Sequence, residues 1–128
     1  MRCFFVGFAG FFVAAFVTAV AVSSYGDYIA RARLGDTMAA LEPLRVEIAE
    51  IITKQGSVGN VGASLKSKIA QQPDMGTDYI KVAADGTIVF RMARYGQVVV
   101  LEPSLRTGAV SWRCIGSKPE KDIPPNCR

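Results

Sequence analysis

The sequence predicts an α+β fold in which one long N-terminal helix packs on a four-stranded antiparallel sheet. Three observations predict it. Residues 3–22 carry no charge, apolar residues recur at helical spacing from Leu34 to Ile52, and short alternating runs separated by turn residues fill the chain beyond Asp78. A chain of 128 residues has room for one ordinary domain and one further element, because domains cluster at about 100 to 150 residues.

The apolar run comes first in the chain. A stretch of about 20 apolar residues can cross the ~30 Å hydrocarbon core as a helix, and this one lacks the polar face of a core helix. The alternative is a secretory signal peptide, since Arg2 precedes the run and Ala19-Val20-Ala21 resembles a cleavage site. Such peptides usually have a shorter apolar core, of about 7 to 15 residues. Arg2 on one side of the span and Arg31 and Arg33 on the other do not decide its orientation.

The run does not stop with a turn. Leu34, Met38, Leu41, Leu44, Ile48 and Ile51 or Ile52 continue at helical spacing, while Arg31, Asp36, Glu42, Arg45, Glu47, Glu50 and Lys54 form the opposite face. That is an amphipathic pattern. One helix of about 50 residues is expected, lipid-facing in its first half and amphipathic in its second. Pro43 should bend it and Gly56 should end it. The organisation is then a hydrophobic segment over residues 1–28, kept in the mature protein, and a head over residues 29–128.

Residues 55–76 are rich in Gly, Ser, Asn and Gln. They read as a long loop with one short helical turn around residues 65–70, a kind of segment that is often functional. Strands are expected over residues 79–84, 87–93, 97–101 and 109–114. Asp85-Gly86 is read as a two-residue hairpin turn, because both positions tolerate positive φ, and Pro103 as a further turn. Ile88, Phe90 and Met92 alternate with Thr87, Val89 and Arg91, so one face of the second strand is buried. Trp112 is read as a core residue near the cysteines.

Three cysteines are present. Cys3 lies within the apolar run and reads as a small apolar residue. Cys114 and Cys127 enclose an irregular, proline-rich segment, and a disulfide closing it would contribute on the order of 3 kcal/mol. Such a bond places this end in an oxidising compartment. Two free thiols and a zinc site are the alternatives, although two cysteines and no histidine make a poor zinc ligand set.

An enzyme is the weaker class of reading. The chain has no histidine and no Gly-rich phosphate loop after a strand, and Glu47 and Glu50 read as a solvated helix face. No catalytic residue, cofactor or metal is assigned. The net charge of +4 is mild. Lys81, Arg91, Arg94, Arg106, Lys118 and Lys121, with Tyr95 as a stacking ring, are the candidates for an anion or DNA contact. Asp78, Asp85, Glu102, Glu120 and Asp122 are interspersed among these bases and favour a solvated surface.

The order of parts is similar to that of type IV pilins, and residues at both ends support it. Tyr25-Gly26-Asp27-Tyr28-Ile29-Ala30-Arg31 resembles the family's stretch where the membrane segment gives way to the head. Pro43 follows at the spacing of the family's second helix proline. Ser111-Trp112-Arg113-Cys114 and Pro124-Pro125-Asn126-Cys127-Arg128 resemble its tryptophan-cysteine strand and its cysteine-arginine ending. The family's membrane Glu has no counterpart. Counting back from Tyr25 puts Val6 in its place and the leader before Met1, whereas a cut at Gly7-Phe8 puts Phe12 there. Ser23 stands where many pilins have their first helix proline.

The resemblance implies a pilin-like fold and a structural subunit of a type IV pilus, supporting surface adhesion or motility. It implies as partners further copies of the chain in a helical filament, the inner membrane before assembly, and the pilus assembly machinery. The head would be periplasmic first and part of a cell-surface pilus afterwards. The assembly residues it implies are Phe4, Phe5, Phe8, Phe11, Phe12, Ala14, Ala15, Phe16, Tyr25 and Tyr28. A DNA-uptake or receptor-binding pilin and a type II secretion pseudopilin are the alternatives.

Overall fold

The computed structural model describes residues 22, 25–65, 77–117 and 123–128. Residues 25–40 form helix α1 and Glu42–Gln55 form α2, with a single break at Leu41. The cause of the break lies two residues further on. Pro43 has no N–H to give the carbonyl one turn back, and its ring crowds that carbonyl. The ladder is kept on either side, since Leu41 N–H donates to the Thr37 carbonyl and Arg45 N–H to the Leu41 carbonyl, both at 3.0 Å. The disturbance expected at Pro43 is therefore present. The helix ends where expected, with Gly56 at φ 68° and its N–H donating to the Ile52 carbonyl at 2.8 Å. Most of the predicted membrane half, residues 1–21 with 23 and 24, lies outside the described residues. Among the described residues no helix is long and apolar enough to cross a membrane.

One side of this helical pair makes half of the core. Leu34, Leu41, Leu44, Ile48 and Ile52 are fully buried and follow the three-four spacing that keeps side chains on one stripe. Thr37 shares the stripe, and its hydroxyl donates to the Arg33 carbonyl at 3.1 Å.

The other half of the core comes from the sheet. Strands β1 (Thr77–Val82), β2 (Ile88–Met92), β3 (Val98–Arg106) and β4 (Ala109–Gly116) form an antiparallel meander in the order β1-β2-β3-β4. Ile88, Phe90, Met92, Val99 and Leu101 point to the helices and are buried. The fold class is thus α+β with a four-stranded antiparallel sheet.

Two turns differ from expectation. The β1–β2 connection uses three residues, with Ala84 joining Asp85-Gly86. Ala83 N–H donates to the Thr87 carbonyl at 2.8 Å and Gly86 N–H to the Ala83 carbonyl at 3.0 Å. Gly86, at φ 85°, supplies the left-handed residue of this loop type. Pro103, read from the sequence as a turn, lies inside β3 opposite Trp112. It is tolerated because β2 pairs with β3 only as far as Leu101, which leaves one side of β3 open beyond that point. The real turn is Thr107-Gly108, both at positive φ (49° and 79°), as a two-residue hairpin connection requires.

The short helix α3 (Val61–Ser64) lies just ahead of the predicted turn at residues 65–70, most of which is outside the described residues. Val61 is buried, and Gly62 N–H donates to the Ala84 carbonyl at 3.2 Å, which ties α3 to the β1–β2 turn.

Candidate functional site

At the N-terminal end of α1, Tyr25 and Tyr28 are three residues apart and so lie on one helix face. They are 66% and 62% exposed, and Val22 before them is 73% exposed. On the other side of the same helix, Ala30 and Leu34 are buried. An aromatic ridge thus emerges from the head on the face that the core does not use. Of the residues predicted to carry assembly, Tyr25 and Tyr28 form this ridge, while Phe4, Phe5, Phe8, Phe11, Phe12, Ala14, Ala15 and Phe16 lie outside the described residues.

At the far end of the chain, Cys114 of β4 is bonded to Cys127 of a 3-10 turn (Pro125–Cys127), with a Cα–Cα distance of 4.4 Å. The bond holds the tail against the sheet. Ile123 is buried there over Gly116, and its Cγ2 is 2.5 Å from where a β-carbon on Gly116 would be, so a side chain at 116 would displace it. Arg128 Nε donates to the Ile123 carbonyl at 3.1 Å. Trp112, half-buried, packs against the core from the same strand. The Arg45 guanidinium carbon lies 5.1 Å from its ring centroid, and Arg45 also pairs with Glu42 at 2.7 Å. The aromatic ring is thereby covered by a cation rather than left as a binding platform.

The candidate anion contacts are dispersed. Arg94 is in the β2–β3 turn and Arg106 closes β3, so the strand separates them by roughly 27 Å. Lys81 is exposed on β1. Arg91 is held by Asp78 in a two-pronged pair, Nη2 to Oδ2 at 2.6 Å and Nε to Oδ1 at 2.9 Å. Hydrogen bonding from Arg91 is the main cause that holds the Asp78 carboxyl below the usual carboxylate range. Lys118 and Lys121 lie outside the described residues.

A groove runs between α2 and the β3–β4 turn, lined by Val46, Ala49, Glu50, Thr53 and Lys54 on one side and Ala109 and Val110 on the other. Among the described residues no group of histidine, cysteine or carboxylate side chains could hold a metal ion.

The features that stand out among the described residues are a helix end with exposed aromatic rings, a covalently closed tail and an open groove. A family model for pilins, the bacterial filament proteins, matches residues 30–128. The chain belongs to the pilin family. The match takes in α1 from Ala30 onward, the whole sheet and the disulfide-closed tail. This pilin is accordingly type IV pilin-like and a pilus subunit, and its family is one of structural proteins rather than enzymes. No solved structure matches the chain.

Sequence reasoning found the disulfide, and of the assembly residues it named, Tyr25 and Tyr28 are exposed on one helix face. It missed Asp78 as the partner of Arg91, because the pair forms between β1 and β2 near a register shift between Thr77 and Tyr79. It also missed Ile123, whose surroundings in the sequence carry no periodicity.

Proposed function

We propose that this pilin is a structural subunit, major or minor, of a type IV pilus that supports surface adhesion or motility. Residues 1–28 anchor it in the inner membrane before assembly, residues 29–128 form its periplasmic head, and the assembly machinery transfers it into a helical filament on the cell surface.

The observation that carries this reading is the exposed Val22–Tyr25–Tyr28 ridge, continuous with an uncharged apolar run and turned away from the head's own core. Outside a bilayer such a helix is stable only when neighbours cover it, each fully buried aromatic or aliphatic side chain contributing about 1.5 to 3 kcal/mol. Identical copies in head-to-tail contact give an open helical polymer.

Replacing Ala14 or Ala15 by Arg puts an unpaired charge into the packed centre of the filament, at a cost on the order of 3 kcal/mol or more per subunit. Surface filaments should disappear while the head keeps its disulfide, read by electron microscopy and non-reducing gels. Filaments that persist in such a variant would overturn the reading.

A further inference from the structure

Tyr25 and Tyr28 leave an aromatic ridge uncovered, and a pilus subunit meets further copies of itself. The outer sheet face is a poor cover for such a ridge, because it carries Lys81, the Asp78–Arg91 pair, and Glu102 directly opposite Arg113. The groove beside α2 differs. Val46, Ala49, Ala109 and Val110 make it largely apolar, and Glu50 and Lys54 are the charges on it. Its volume of about 410 Å³ is comparable with pockets that hold small organic ligands, about 300 to 1,000 Å³, and so roomy enough for tyrosine rings.

Charge selects the register. Arg31 follows Tyr28 by three residues and Glu50 follows Val46 by four, so Tyr28 set on Val46 with the two helices parallel raises the charges about 4.5 and 6 Å above the contact. At about 100° per residue, Arg31 is turned roughly 60° one way from Tyr28 and Glu50 roughly 40° the other way from Val46. On helices that face each other those two flanks come together. Tyr25 is turned toward the opposite flank, where the stacking of Arg45 on Trp112 shows that β4 and its turn lie. Among the described residues neither Arg31 nor Glu50 forms an ion pair, and Arg31 donates only its Nε to the Asp27 carbonyl. Asp27 is half-buried below this level, and Lys54 stands one turn above it.

We infer that the Tyr25–Tyr28 ridge of one copy seats in the α2 groove of another, with Tyr28 against Val46 and Arg31 paired with the partner's Glu50, an inference that rests on the pilus-subunit reading. Tyr28 and Val46 are 18 residues apart in the chain, so the two copies in contact are displaced by about 27 Å along the helix. Because ridge and groove are different surfaces, the contact is head-to-tail and leaves one of each open for further copies.

The test uses the full-length pilin in the cells that produce it, with sheared surface filaments quantified. Arg31→Glu and Glu50→Arg each bring like charges face to face and should lower the filament yield at least about tenfold. The double variant restores opposite charges and should recover most of the yield. Single variants at wild-type yield, or a double variant no better than the singles, overturn this docking and leave the filament reading standing. A wild type without filaments overturns both. Should a single variant fail to accumulate in oxidised form, a photo-crosslinker at position 46 of the otherwise wild-type chain decides the matter. A cross-link in filaments mapped to residues 25–31 of a second copy supports the docking, and one mapped elsewhere, or none, overturns it.

Discussion

Gly86 is the point at which turn, helix and strand meet, and replacing it by Ala separates two costs that usually come together. Its φ is 85°, where a β-carbon costs roughly 1 to 2 kcal/mol. A β-carbon there would also stand 2.9 Å from Ile48 Cγ2, 3.2 Å from Val61 Cγ1 and 3.3 Å from Pro103 Cγ. Ile48 and Val61 are fully buried, so neither can swing into solvent. Overpacking of this kind adds about 1 to 3 kcal/mol, and Gly86→Ala should destabilise the head by roughly 3 kcal/mol in all. Gly96 supplies the control: its φ is 65°, and nothing lies within 4 Å of its would-be β-carbon. Gly96→Ala should therefore cost only the backbone part, about 1 to 2 kcal/mol. Urea unfolding of the head, residues 29–128, measures both. Equal losses from the two substitutions would refute the claim that the β1–β2 turn is wedged against α2 and α3.

Replacing Cys114 and Cys127 together by Ala should lower stability by about 3 kcal/mol, measured by thermal unfolding under oxidising conditions, whereas two alkylatable thiols in the native protein would show that the bond does not form. The Asp78–Arg91 pair gives a pH signature. Asp78 titrates lower in the folded than in the unfolded chain, so the pair's contribution is present above the ordinary carboxylate range and is lost as pH falls through the folded value. The stability gap between wild type and Asp78→Asn should therefore narrow in acid, and a gap that does not change with pH would refute the pairing.

Much of the head was legible because its signals are local. The spacing of Leu41, Leu44, Ile48 and Ile52 specified the buried stripe of α2, and Gly56 marked its end through a backbone conformation that glycine adopts easily. Alternation at Ile88, Phe90 and Met92 gave the buried face of β2. What was not legible depends on who sits beside whom. Pro103 reads as a break in any local window and is harmless only because β2 has already stopped pairing there. Arg91 reads as a free base until the β1–β2 register places Asp78 within reach of it. Trp112 reads as core, and the structure leaves it half-buried with Arg45 over its ring. Of the assembly helix, the two tyrosines fall within the described residues.

The tail has a consequence for biogenesis. Ile123 and Cys127 are among the most deeply buried side chains, yet they come after the last strand. On the pilus-subunit reading proposed above, a head exported from its N-terminal side would hold an unfilled gap beside Gly116 until residues 123–127 had also crossed. Oxidation of Cys114 to its native partner cannot precede that moment. On that reading export and disulfide formation would be ordered in time, and a subunit stalled late in translocation would carry an exposed thiol before it could join a filament.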